Sequence, residues 1–84
     1  MINNQVLNRI ELIFHDIFDD DTLKIGRNTN ATDIKGWDSL AQISLIVAFE
    51  KEFKIKFSLE ELAKFNEVGD IVDIINKKIE YLMA

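Results

Sequence analysis

A chain of 84 residues, 48% hydrophobic and 30% charged, is one small domain with enough apolar content to bury a core, well outside the composition of disordered chains. A domain of this size buries only about 60% of its unfolded-chain surface, which leaves no room for a large enclosed cavity and argues against a self-contained enzyme. A formal charge of -5 and a pI near 4.7 repel phosphate backbones and anionic lipids, excluding nucleic acid and membrane as partners and favouring basic protein surfaces.

Cysteine is absent, which removes disulfides, thiolate metal sites and cysteine nucleophiles together and makes the cytoplasm the default compartment. Any thiol chemistry has to be borrowed. Met1-Ile2-Asn3-Asn4-Gln5 lacks the basic start and apolar run of a signal peptide, and no stretch reaches the apolar length, about 18 residues, of a membrane span. The expectation is one soluble cytoplasmic domain over residues 1–84, a monomer.

Pro is absent and Gly occurs only at 26, 36 and 69, so hydrophobic periodicity carries the reading. Val6, Ile10, Ile13 and Ile17, widened by Leu7, Phe14 and Phe18, form the stripe of an amphipathic first helix. Asp19-Asp20-Asp21 is unfavourable against the negative end of its dipole and ends it near Phe18. From Asp19 to Trp37 no period is sustained, and Gly26, Arg27, Asn28, Thr29, Asn30 and Gly36 supply turn chemistry for a long loop, a length that is usually functional or disordered.

Ser39 to Phe53 reads as a second helix with Leu45, Ile46, Phe49 and Phe53 on its core side. Leu40, Ile43 and Val47 make a second apolar stripe that a helix packed on one face does not need. Phe53-Lys54-Ile55-Lys56-Phe57 alternates like a strand but has no partner strand, so it is an extended connector with three inward side chains. Ser58-Leu59-Glu60-Glu61 is a capping box for a short third helix with Leu59, Leu62 and Phe65 inward. Asn66 is placed to cap a fourth helix in which Val68, Ile71, Val72, Ile75, Ile79 and Leu82 keep the period. The fold class is all-α: a small four-helix bundle with a long loop between the first and second helices and a short third helix.

Three chemical readings fail on spacing or company. Counted from Asp19 as a calcium loop, the sixth and twelfth positions hold Lys24 and Asn30 where Gly and Glu are needed. His15 has no second His or Cys to form a metal set and reads as a boundary residue. A Ser39–His15–acid triad can be written, but residues this common pair by chance.

Asp38-Ser39-Leu40 is the informative stretch. Its plain reading is another capping box, Ser39 at the N-cap and Gln42 at N3. That leaves unexplained the long loop delivering Gly36-Trp37 to the helix start, the acid before the serine, and the surplus stripe beside it. A phosphate ester on Ser39 would sit at a helix N-terminus, where free N–H groups and the dipole favour an anion.

Gly36-Trp37-Asp38-Ser39-Leu40, with Ile43, Leu45-Ile46 and Phe49-Glu50-Lys51-Glu52-Phe53, closely resembles the acyl carrier proteins over nearly the whole chain. The resemblance implies that Ser39 receives 4'-phosphopantetheine from coenzyme A through a separate magnesium-dependent phosphopantetheinyl transferase. The arm's thiol would hold an acyl or aminoacyl group as a thioester for acyl-transferring or acyl-activating enzymes with basic surfaces. Asp38 would help position the transferase's metal and the serine. Leu40, Ile43, Val47 and Glu50 would face partners, the three apolar residues having packing under the long loop as their other reading. Trp37 would anchor the loop on the second helix or fill a gap there.

Ala41 and Ser44 stand where fatty acid carriers usually place acids, and Trp37 follows Gly36 where Ala or Gly is usual, a pattern more like stand-alone carriers of specialised pathways, here of fatty acid, polyketide or related type. The family's acyl cavity would be lined here by Ile46, Phe49, Leu62, Phe65 and Ile71, whose bulk leaves little room and implies short or exposed cargo. The competing hypothesis is an acidic helical adaptor that binds through the second stripe and carries nothing.

Overall fold

The computed structural model describes residues 2–83, with side chains over residues 5–79. Four helices follow in order, α1 (Ile2–Phe18), α2 (Ser39–Phe53), α3 (Leu59–Leu62) and α4 (Val68–Met83), with a 3-10 turn at Ala31–Asp33 in the first connection. No strand occurs among the described residues, and none of the helices is long and apolar enough to cross a membrane. The all-α bundle is the one expected.

Rows of apolar side chains at four-residue steps set the packing. Val6, Ile10 and Phe14 of α1 are buried, as are Leu45, Phe49 and Phe53 of α2, and they meet Val68, Ile71, Val72 and Ile75 of α4. On α1 the fully buried row therefore runs through Phe14, with Ile13 and Ile17 packed at its edge. Ile46 lies at the edge of the α2 sector in the same way. α1 packs on both α2 and α4, which makes it the wall against which the other two long helices are set.

Helices α1 and α2 both end on a left-handed residue. Asp19 (φ 52) and Lys54 (φ 56) turn the chain, and the following N–H groups return to the last turns, Asp20 to the His15 carbonyl at 3.0 Å and Ile55 to the Glu50 carbonyl at 3.2 Å. These are six-to-one closures built without glycine. Ile55 is buried and Phe57 is half-buried against Phe65, edge-to-face at 5.3 Å, so the connector's inward side chains are as expected.

The single turn α3 has the expected capping box, in which Ser58 accepts from the Glu61 N–H and Glu61 accepts from the Ser58 N–H. That bond, together with Lys78 Nζ at 3.0 Å, holds the Glu61 carboxyl below the ordinary glutamate range. Leu59, expected inward, is 85% exposed. One turn offers a single contact face; Leu62 is half-buried, and the contact with the core is made by the Phe57–Phe65 ring pair on either side.

The start of α4 is built differently from the sequence expectation. Its first N–H groups are satisfied from the long connection: Val68 N–H donates to the Thr29 carbonyl at 2.9 Å and Gly69 N–H to the Arg27 carbonyl at 2.6 Å. Asn66 is not the cap. Its N–H and that of Glu67 donate to the Asp70 carboxylate at 3.0 and 3.1 Å, and the first N–H groups of α4 that its side chain would have capped are taken by the Thr29, Arg27 and Glu67 carbonyls. Arg27 Nη2 adds an ion pair, donating to both Asp73 carboxylate oxygens at 3.0 and 2.9 Å.

Gly69 makes this junction possible. A Cβ there would fall 3.0 Å from the Arg27 carbonyl oxygen, a backbone atom that cannot swing aside. Ala ordinarily favours a helix over Gly, but here the clash wins, and Gly69→Ala should lower unfolding stability in urea by about 1–3 kcal/mol.

Candidate functional site

Everything that positions Ser39 comes from the connection that precedes it. His15 Nε2 lies 2.7 Å from the Leu23 carbonyl, and the Glu11 carboxylate accepts from the Ile25 N–H at 2.9 Å, so α1's polar edge pins the descending chain. Ile25 and Ile34 are buried beneath it. Asn30 caps the 3-10 turn reciprocally with Asp33. Gly36 then adopts φ +91, a conformation that L side chains rarely take, beside the ring of Phe18.

Beyond that turn, Trp37 is anchored on two sides. Its ring meets Phe14 edge-on at 5.1 Å, and its indole N–H donates to Gln42 Oε1 at 2.7 Å. The reading in which Trp37 fastens the loop to α2 is therefore the observed one. Gln42 serves the tryptophan rather than a capping box.

Asp38, not Ser39, is the N-cap. Its backbone is extended (φ -111, ψ -168) and its side chain accepts from the Ala41 N–H at 2.9 Å. A carboxylate is the stronger acceptor for an orphan N–H at the positive end of a helix, and it stands one residue earlier. Ser39 is thereby the first helical residue. It is exposed, and its hydroxyl makes no hydrogen bond among the described residues.

A groove of about 540 Å³ opens next to this serine between the start of α2 and the α3–α4 junction. Trp37, Asp38, Ser39 and Ile43 line one side, Phe65 and Ile71 the other. Of the five residues expected around an acyl cavity, Phe65 and Ile71 line this groove. Phe49 is fully buried in the core against Phe14, and Ile46 and Leu62 are half-buried. The space beside Ser39 is thus an open surface groove.

The second apolar stripe is free. Leu40 is 76%, Ile43 60% and Val47 47% exposed, so packing under the loop is ruled out as their role. Glu50 differs from them: it is half-buried, and its carboxylate accepts from the Phe57 N–H at 3.0 Å, holding the connector. The neighbouring acid, Glu52, pairs with Arg9 at 3.3 Å.

These features fit a phosphodiester-linked arm at Ser39. The hydroxyl is exposed and unengaged, the helix N-terminus suits an anionic ester, and a groove runs alongside. Neither Ser44 nor Ser58 has that company: Ser44 lies within α2, and the Ser58 side chain caps α3.

Comparison with known proteins identifies the family. Residues 8–75 match the family model described as "Phosphopantetheine attachment site". The chain is 30% identical over 79 residues to an acyl carrier protein of Thermosynechococcus vestitus, covering 94% of this chain and 98% of that protein. It is 40% identical over 70 residues to one from Buchnera aphidicola of Acyrthosiphon pisum, with 83% and 88% covered. Its fold superposes with a TM-score of 0.88 and 44% identity on the solution NMR structure of a holo acyl carrier protein from Geobacter metallireducens, covering 93% of this chain and 90% of that one.

The division of roles at the helix start has a measurable consequence. Asp38→Ala should cost about 1 kcal/mol of stability in denaturant unfolding by removing the cap. Ser39→Ala should fall within about 0.5 kcal/mol of the parent, as surface changes away from caps do.

Proposed function

This chain belongs to the acyl carrier protein family and carries a phosphopantetheine attachment site, and we propose that Ser39 is the attachment residue. The observation that carries this is the capping of α2 by Asp38, which leaves an exposed serine hydroxyl unengaged at a helix N-terminus. When bound, the arm supplies the thiol on which an acyl or aminoacyl group is held as a thioester, the one function the cysteine-free chain cannot supply.

Each neighbour has a part in this reading. Ser39 Oγ forms the phosphodiester link and gives up its proton to the transferase as the pyrophosphate bond of coenzyme A breaks and adenosine 3',5'-bisphosphate leaves. One Asp38 oxygen holds the Ala41 N–H, and the carboxylate's other oxygen is the ligand offered to a transferase's metal. The N–H groups of the first turn of α2 face the ester's negative charge. Trp37, fixed by Phe14 and Gln42, keeps the loop from folding over the serine.

The chain acts as a single non-catalytic carrier domain, a cytoplasmic shuttle in a specialised biosynthetic pathway. A phosphopantetheinyl transferase loads it, and acyl-transferring or acyl-activating enzymes serve it. In a reducing compartment the arm's thiol, the only one present, stays free to accept cargo. The exposed stripe of Leu40, Ile43 and Val47 beside Ser39 is the surface these enzymes cover, with Glu50 at its far edge. The adaptor reading accounts for the stripe but leaves the free serine and its groove without a use.

Intact mass spectrometry tests the attachment. Incubation with coenzyme A and a broad-specificity transferase should add one phosphopantetheine mass to the parent chain and none to Ser39→Ala. Loading of the Ala variant would overturn the assignment. The partner surface has its own test: Val47→Glu places a charge in a desolvated contact and should slow acyl transfer with a cognate enzyme more than Glu50→Gln does. Equal or reversed losses would remove the stripe from recognition.

A further inference from the structure

Lysine is distributed unevenly over this acidic molecule. Of the eight lysines in the sequence, six line one groove of about 820 Å³ bounded by the end of α2, the connector, α3 and α4: Lys51, Lys54, Lys56, Lys64, Lys77 and Lys78. They come from four separate segments of the chain, so no local run produces the cluster. All but Lys78 are exposed.

Two carboxylates also line the groove and keep their charge, so the six lysines outnumber them by four. Glu50 accepts from the Phe57 N–H, and Glu61 is shared between the Ser58 N–H and Lys78. Lys51, Lys54, Lys56, Lys64 and Lys77 form no ion pair among the described residues. The floor between them is apolar, made of Val47, Ile55 and Ile74, with Ile55 only 6% exposed.

Lys54 occupies a left-handed position, φ 56, where glycine is the unstrained choice.

We propose that this groove docks an acidic segment of a partner protein, with carboxylates over the lysine rim and apolar side chains on the Val47–Ile55–Ile74 floor. Charge complementarity names the occupant, since crowded like charges repel until an anion covers them. The concavity selects a chain segment over a lipid surface, because a flat bilayer reaches the lysine tips but not a floor set below them. The inference goes beyond the carrier reading and stands whether or not Ser39 is loaded.

The test uses the unloaded 84-residue chain, labelled with ¹⁵N and titrated with a short helical Glu/Leu peptide. Amide shifts should gather at Val47, Lys51, Lys54, Ile55 and Lys77. Lys51→Glu/Lys77→Glu should weaken binding at least about tenfold, the size expected when two favourable charge contacts become repulsive, and raised salt should weaken the parent in the same direction. Lys54→Gly separates fold from docking: its melting temperature should equal or exceed the parent's while its affinity for the peptide falls. Absence of shifts up to about 1 mM peptide, the weak limit of useful affinity, would overturn the proposal. So would shifts lying away from the groove, or tighter binding of phosphatidylglycerol vesicles than of the peptide at the same lysines.

Discussion

Helix α4 begins with N–H groups that have no partners inside the helix, and the connection over residues 19–38 carries carbonyls with no ladder to join. Each supplies what the other lacks: Thr29 and Arg27 present their carbonyls to Val68 and Gly69. Each bond contributes only about 0.5–1.5 kcal/mol net, but the junction sets the path of the whole connection. With Arg27 and Thr29 tied to α4, and Leu23 and Ile25 tied to α1, the chain has one route to Gly36. The start of α2 is thereby placed relative to both other long helices.

What this placement achieves is visible in the two residues that follow Trp37. Either Asp38 or Ser39 can cap a helix, and which one does so decides whether the serine hydroxyl is spent inside the fold. The turn at Gly36 brings Asp38 in with extended backbone, so its carboxylate reaches the Ala41 N–H and Ser39 enters the helix proper. The protein thus keeps a stable helix start and an unengaged nucleophile at adjacent positions. Stability and reactivity are divided between neighbours and do not compete for one side chain.

Much of this was legible in the amino-acid pattern, because the signals were local. The α1 stripe, the Leu45–Phe49–Phe53 row and the Ser58–Glu61 box are each local; the last two form as read, and the α1 stripe forms with Phe14 at its centre and Ile13 and Ile17 at its edge. The Asp38-Ser39-Leu40 neighbourhood was legible as a site, but its internal assignment was not, since the backbone angle at Asp38 is set by Gly36 and by Trp37 packing on Phe14. Asn66 looked like a cap for the same reason: the acceptors that replaced it on α4 come from Arg27 and Thr29, far away in sequence. Leu59 read as inward because periodicity presumes a helix long enough to have a repeating face. The lysine groove had no sequence signature at all, being assembled from α2, the connector, the end of α3 and α4.

The net charge of -5 conceals how the molecule presents itself. Arg9 of α1 lies against Glu52 and Phe53 at the end of α2, while Phe18 lies beside Gly36, so α1 and α2 run antiparallel and α1 ends near the serine. Asp16, Asp19, Asp20 and Asp21 are therefore at the Ser39 end, where hydrogen bonds from Thr22 hold the Asp20 carboxyl below its ordinary range and keep it ionised. The lysine groove is at the other end of α2. Twelve residues of helix separate Ser39 from Lys51, about 18 Å at 1.5 Å per residue, which exceeds the Debye length of about 8 Å at physiological salt. An approaching surface consequently meets one patch or the other, not their sum. A basic surface finds its complement near the serine, an acidic one finds it in the groove, and a partner carrying both signs at matching separation is oriented along α2 before any apolar contact forms.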